Sequence, residues 1–164
     1  MLEDIMTVRG LLCSMVIVGC LAFGIVDATA QNKPSVSKGQ ILYVPVYSHI
    51  YIGDRERPFL LTVTLSIRNT DRNFPITIQK VVYYDSHGKP LNAYLDKPMA
   101  LEKLSSTRFV VRESDKSGGS GASFMVEWQS DQAASPPLVE TIMIGAQTQQ
   151  GISFTSRGQV IEEK

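Results

Sequence analysis

Leu61, Val63, Leu65 and Ile67 alternate with Thr62, Thr64, Ser66 and Arg68 without a slip. Successive side chains on a strand point to opposite faces, so this run can bury one side and wet the other only as an extended ribbon. The same pattern returns along the chain. Phe124, Val126 and Trp128 alternate with Ser123, Met125, Glu127 and Gln129, and Phe109 and Val111 share a face within residues 107–112. Residues 76–84 are dense in β-branched and aromatic side chains, residues 138–144 form a further strand, and residues 152–155 and 159–161 are shorter closing segments. Turn chemistry separates these runs: Asn69-Thr70-Asp71, Asp85-Ser86-His87-Gly88 ahead of residues 91–95, a flexible Ser117-Gly118-Gly119-Ser120-Gly121, and Pro136-Pro137. Only residues 100–104 have helical character, about one turn. With no crossover helices to link parallel strands, the expectation is an all-β, antiparallel sandwich or barrel of seven to nine short strands.

The first thirty residues obey other rules. A short polar start ending in Arg9-Gly10 leads into residues 11–26, sixteen positions without a charge, the pattern of a signal-peptide helix. Ala28 and Ala30 supply the small side chains that a signal peptidase accepts, which predicts a cut before Gln31. Two other fates compete with it. Ile17-Val18-Gly19-Cys20 resembles a lipobox in which Cys20 would be acylated, although residues 21–26 stay apolar where lipoproteins usually turn polar. An uncleaved anchor would have to cross the membrane with fewer than the ~20 residues normally needed. The expected organisation is 1–30 signal peptide, 31–38 polar tether and 39–164 β-sandwich domain, exported to the periplasm or beyond and, on the Cys20 reading, lipid-anchored.

Cleavage leaves 134 residues without Cys13 or Cys20, so the mature domain has no disulfide and rests on its core. A chain of that size buries about two thirds of the surface it exposes when unfolded, enough for an independent core. Fifteen basic and thirteen acidic side chains remain, a net charge near +2 with no basic cluster. That balance argues against a nucleic-acid partner and against an electrostatic hold on anionic lipid. Contact with a membrane is expected only through the signal segment or a lipid anchor.

The sharpest local pattern lies in residues 42–52, read as one extended segment, straight or bent. Leu42, Val44, Val46, Ile50 and Ile52 share one parity with Ser48; Tyr43, Pro45, Tyr47, His49 and Tyr51 occupy the other. An aliphatic face for the core then leaves a stripe of rings, and tyrosine gives large contact area at little conformational cost. Tyr43, Tyr47, His49 and Tyr51 are therefore the candidate contact residues for a sugar or an extended peptide. Covered or ordinary exposed tyrosines are the plainer alternative. Pro45 has no N–H to donate, which points to an edge strand or a bulge.

Chemistry-bearing motifs are otherwise weak. Ser120 lies in Gly118-Gly119-Ser120-Gly121-Ala122, but a nucleophile elbow needs a strand before it and a helix after it, and here a strand comes next. His49 and His87 are the two histidines, too separated for zinc spacing, and no cysteine remains in the mature chain to help. Asp54, Asp71, Asp85, Asp96, Asp115 and Asp131 fall one per turn, as expected of a side chain that bonds its own backbone two residues on, and none sits in a calcium-loop pattern. Asp54-Arg55-Glu56-Arg57 reads as a solvated loop, and no phosphate loop is present. No cofactor and no metal is expected.

Six ordered segments carry a resemblance to a known family. They are Tyr43-Val44-Pro45-Val46-Tyr47-Ser48-His49-Ile50-Tyr51, Leu65-Ser66-Ile67-Arg68-Asn69-Thr70-Asp71, Tyr83-Tyr84-Asp85-Ser86-His87-Gly88-Lys89, Gly118-Gly119-Ser120-Gly121-Ala122, Met143-Ile144-Gly145 and Gln150-Gly151-Ile152-Ser153-Phe154. In that order, over about residues 38–162, they closely resemble the bacterial domain of unknown function 3124, which implies no activity, ligand or site for these positions. A weaker likeness is to immunoglobulin-like accessory domains of bacterial envelope proteins, through the Asn69-Thr70 and Tyr83-Tyr84-Asp85 strand ends and Leu101, Leu104, Phe109, Val110 and Val111. It implies an immunoglobulin-like sandwich that binds or spaces rather than catalyses, and it is an analogy of fold.

The expected function is a non-enzymatic envelope protein that binds a partner protein or a surface polymer through the ring stripe. The alternatives are a small hydrolase or metal-dependent enzyme using His49 and a loop carboxylate such as Asp54, and a structural spacer or assembly subunit.

Overall fold

The β-branched runs and the turns between them become twelve strands in the computed structural model of the protein, which describes residues 35–146 and 151–164. The signal-peptide helix, Ala28, Ala30, Cys20 and the start of the tether lie outside the described residues. In chain order the strands are β1 (Ser37–Val46), β2 (His49–Ile52), β3 (Arg57–Leu60), β4 (Thr62–Arg68), β5 (Ile76–Tyr84), β6 (Pro90–Ala93), β7 (Met99–Leu101), β8 (Ser106–Val111), β9 (Ala122–Ala134), β10 (Leu138–Gly145), β11 (Ile152–Arg157) and β12 (Gln159–Glu163). Every pairing is antiparallel. One sheet runs β12-β1-β9-β5-β6, with β7 also on β5; a second runs β11-β10-β4-β8; β2 and β3 form a separate two-stranded hairpin.

The expected antiparallel two-layered all-β body is thus present. The strands exceed seven to nine because β2 separates from β1 and because β3 and β7 hold only four and three residues, too few to show a period. Residues 100–104 form no helical turn: Ala100 and Leu101 belong to β7, and Leu104 has φ of 57°.

The two larger sheets close on one core. Leu42, Val44 and Val46 of β1 and Phe124, Val126 and Trp128 of β9 meet Val63, Leu65 and Ile67 of β4 and Val139 and Met143 of β10 in a single buried cluster. The alternation that starts at Leu61 lands on the core at all four apolar positions, each with no exposed surface. β5 does the same by a less regular route. Ile76 and Ile78 point inward, the register slips by one residue between Ile78 and Lys80, and Val81 and Tyr83 then point inward from the opposite parity. A bulge of this kind inserts one residue and turns the later part of the strand to the other face.

Two polar groups inside the body are paired rather than stranded. Trp128 Nε1 donates to Gln40 Oε1 at 3.3 Å, and Gln40 Nε2 donates to Glu163 Oε1 at 2.7 Å. Asn69 Nδ2 donates to the carbonyls of Phe74, Leu101 and Glu102 at 3.0–3.2 Å, tying the β4–β5 turn to the end of β7.

Pro45 does not lie on an edge strand, since β1 is flanked by β9 and β12. The reason it is tolerated is local. β12 accompanies β1 only as far as Tyr43, with a register shift between Ile41 and Leu42, so no strand faces Pro45 on the side away from β9. There the Pro45 carbonyl accepts the hydroxyl of Thr141 from β10 at 2.7 Å. A proline thus falls where no ladder bond is missed.

Candidate functional site

The segment read as one continuous strand divides at Tyr47 and Ser48. β1 ends at Val46 in the large sheet, and β2 begins at His49 in the hairpin. The divide is pinned by Ser48, which is fully buried: its amide and its hydroxyl both donate to the Gly119 carbonyl at 3.0 Å, and its own carbonyl accepts the Leu61 amide at 3.0 Å. Three bonds to two separate loops hold the chain in its change of direction.

The ring stripe is redistributed by that turn. Tyr43 stays on the large sheet, 38% exposed, paired across to Met125 and Gln159. Tyr47 leans on Phe154 of β11, ring centroids 5.7 Å apart and edge to face, so it covers the core margin. His49 and Tyr51 remain together on β2, their rings 5.2 Å apart at 87° and His49 Nε2 3.3 Å from the Tyr51 hydroxyl. The structure therefore brings two of the four rings into contact and disperses the other two.

β3 completes this face. Ile50 pairs with Phe59, Tyr51 with Pro58 and His49 with Leu60. Alternation sends Ile50 and Phe59 toward the core and leaves His49, Tyr51, Pro58 and Leu60 on the other side. Tyr51 is 55% exposed. At the hairpin tip, Ile52, Gly53, Asp54, Arg55 and Arg57 line an open hollow of about 410 Å³. Gly53 takes φ of 67° and Glu56 φ of 48°, and the Glu56 amide donates to the Gly53 carbonyl at 3.0 Å. Pro58 and Leu60 were not anticipated as members of the face. Gly53-Asp54 ahead of the apolar Phe59-Leu60-Leu61 is the hairpin signal that could have found them.

Behind the hairpin the glycine-rich segment is firmly docked instead of flexible. Ser86 donates from its amide and its hydroxyl to the Gly118 carbonyl, at 3.0 and 2.9 Å, and its oxygen accepts the Gly121 amide at 3.0 Å. Gly118 and Gly119 are required by this docking. A Cβ on Gly118 would lie 1.9 Å from the Tyr83 hydroxyl, and Gly119 has φ of 80° with Ser86 Oγ 2.6 Å from where its Cβ would be. The Tyr83 hydroxyl is enclosed and makes no hydrogen bond of good geometry among the described residues. Burial foremost, then the charges of Asp115 and Tyr94, pushes this phenol above its ordinary range, while Ser48 pulls weakly the other way.

Ser48, His49, Asp54, Ser120 and His87 are not brought together as a nucleophile, base and carboxylate set. Ser48 Oγ lies 3.5 Å from His49 Nδ1, too long for a good hydrogen bond, and its proton is committed to Gly119. Ser48 is also inaccessible to a substrate. Asp54 sits in the hairpin turn and makes no hydrogen bond to His49 among the described residues. Ser120 leads into strand β9. His87 is exposed in the β5–β6 turn. Among the described residues no three His, Cys, Asp or Glu side chains gather as a metal site, and no helix is long and apolar enough to cross a membrane. Three of the six aspartates read as turn residues behave so: Asp71, Asp85 and Asp115 each accept the amide two residues on, from Asn73, His87 and Ser117 at 2.7–2.9 Å. Asp131 does not lie in a turn but within strand β9, which runs on to Ala134. For Asp85 the amides of Lys89 and His87 hold the carboxyl below its usual range.

A family model described as "Protein of unknown function (DUF3124)" matches residues 39–161. No curated protein matches the chain. Among solved structures, the chain is similar to the crystal structure of Thermotoga maritima 1070, at 11% identity and a TM-score of 0.47, over 76% of this chain and 97% of that one.

Proposed function

The chain belongs to the DUF3124 family of proteins of unknown function, and from that premise we propose that it is an exported, non-enzymatic binding module of the cell envelope. Its contact surface is the outer face of the β2–β3 hairpin. Export is supported by the uncharged residues 11–26 and the Ala28-x-Ala30 pattern.

The observation that carries the binding reading is the His49–Tyr51 pair. Two rings stand side by side on a hairpin that belongs to neither large sheet, with Pro58 directly across from Tyr51. Rings with polar tips give contact area, direction and a small entropic cost, which suits stacking on a sugar or on an extended peptide. The Ser48 anchor holds the base of the hairpin, so the face meets a partner already formed.

The test compares retention of the purified mature protein on envelope fractions from the producing cell with that of Tyr51→Ala and His49→Ala. Both variants keep the wild-type melting temperature and lose retention. Undiminished retention by folded variants removes the hairpin from consideration.

A further inference from the structure

The outer face of the β11-β10-β4-β8 sheet carries a second arrangement, independent of the hairpin. Register pairs Arg68 with Ser106 and Ser66 with Arg108 across β4 and β8. All four side chains share the outer face, so they form a two-by-two square with the arginines on one diagonal and the serines on the other. Thr64 and Ile142 adjoin the square, and together these residues line a shallow hollow of about 190 Å³.

The donors of this square are pre-positioned. Arg68 Nε donates to Ser66 Oγ at 3.2 Å, which orients the guanidinium; Ser66 is only 7% exposed, at the floor of the hollow, and its hydroxyl donates to no other group among the described residues. Glu140, paired across β10 and β4 with Ser66, lies 4.0 Å from Arg68 Nε, a long contact, and the rest of the Arg68 fork makes no hydrogen bond among the described residues. On the far side of Glu140, Arg157 pairs with it across β11 and β10. The row Arg157–Glu140–Ser66–Arg108 therefore carries two arginines to one glutamate, and Arg68 of the adjacent row adds a third arginine beside the same glutamate, in a chain whose overall charge is balanced. Arg108 and Ser106 are exposed and have no hydrogen-bonded side-chain partner among the described residues.

We propose that the Arg68–Ser66–Arg108–Ser106 square is a binding site for a phosphate group. A carboxylate has two oxygens and is satisfied by a single arginine fork. Two forks approaching along a diagonal, with two hydroxyl donors between them, match an anion that presents three or more oxygens in different directions. Thr64 and Ile142 beside the square offer a hydroxyl and an apolar wall to whatever carries the phosphate, as a phosphorylated sugar would require.

The experiment titrates the mature protein with inorganic phosphate and, separately, with glucose 6-phosphate, following backbone amide shifts by NMR. Saturable shifts centred on Ser66, Ser106 and Arg108 are expected, weakened about tenfold in Arg108→Gln and further in the Arg68→Gln/Arg108→Gln pair. Tighter binding of the sugar phosphate assigns the site to an esterified phosphate; equal binding assigns it to the free anion. Arg108 is exposed, so its variant tests the site without a folding penalty, and unchanged amide positions elsewhere verify this. The site is overturned by shifts that do not saturate, by shifts scattered over other lysines and arginines, or by equal affinity in the double variant.

Discussion

The Ser135 amide donates to Asp71 Oδ2 at 2.7 Å, joining the β4–β5 turn to the chain entering β10, 64 residues later. The other oxygen of the same carboxylate, Oδ1, accepts the amides of Asn73 and Phe74 at 2.7 and 2.9 Å. The amides of Ser135, then Asn73, then Phe74 hold this carboxyl at about 2, against an ordinary 3.8.

A folded-state value below the unfolded one means that the charged form stabilises the fold. That contribution is complete above 3.8 and disappears as the pH falls through about 2. Asp71→Asn places an NH₂ where one accepting oxygen was, so it is less stable than the wild type at neutral pH. Urea midpoints across the acid range check this: the gap between the two proteins is constant at neutral pH, narrows below pH 3.8 and closes near pH 2. A gap unchanged at pH 2 would show that Asp71 acts through shape alone.

Tyr83 packs its ring 5.1 Å from that of Phe124, but its enclosed hydroxyl has no good hydrogen-bond partner. Tyr83→Phe keeps the ring contact and removes the unsatisfied group, so it is expected to raise stability by roughly 1 kcal/mol. The effect grows in alkali. The phenol is pushed above its ordinary 10.0, so the neutral form is favoured in the fold, and the wild type loses stability as the pH rises above 10.0 while Tyr83→Phe is spared this loss. Denaturant midpoints of both proteins, at neutral pH and above 10.0, measure both effects.

Gly118 has no room for a side chain. An alanine Cβ would lie 2.6 Å from Tyr83 Cζ and 2.8 Å from Ala122 Cβ, as well as against the hydroxyl. Gly118→Ala is therefore expected to destabilise by about 1–3 kcal/mol, the usual cost of overpacking. Since Cζ remains in Tyr83→Phe, the double variant recovers only part of the loss. Full recovery would mean that the hydroxyl was the whole obstacle.

The parts of the fold legible from sequence are those where side-chain period and backbone period agree. β4 and the residue before it are the clearest case, with Leu61, Val63, Leu65 and Ile67 all inward. The Asp85-Ser86-His87-Gly88 turn is equally plain, because Asp85 and a Gly88 with φ of 79° supply what that turn needs. β5 is not, since the slip between Ile78 and Lys80 moves the core face from even to odd positions, and a bulge depends on the neighbouring strand.

The ring stripe shows the same limit at the candidate site. Tyr43, Tyr47, His49 and Tyr51 all fall on one parity, yet Ser48 divides them by bonding Gly119 and Leu61, residues of two separate loops later in the chain. Local pattern records which residues could share a face; tertiary hydrogen bonds decide which do. For the same reason the Arg68–Ser66–Arg108–Ser106 square is invisible until β4 and β8 are in register.

The hairpin face is tested most directly inside the producing cell, with a photo-crosslinking phenylalanine analogue in place of Tyr51 and, as control, in place of exposed Lys103 on the loop before β8. A discrete adduct from position 51, absent from position 103 and weakened when His49→Ala is added, is the expected result. No adduct at position 51, or the same adducts from both positions, would contradict a contact role for the hairpin.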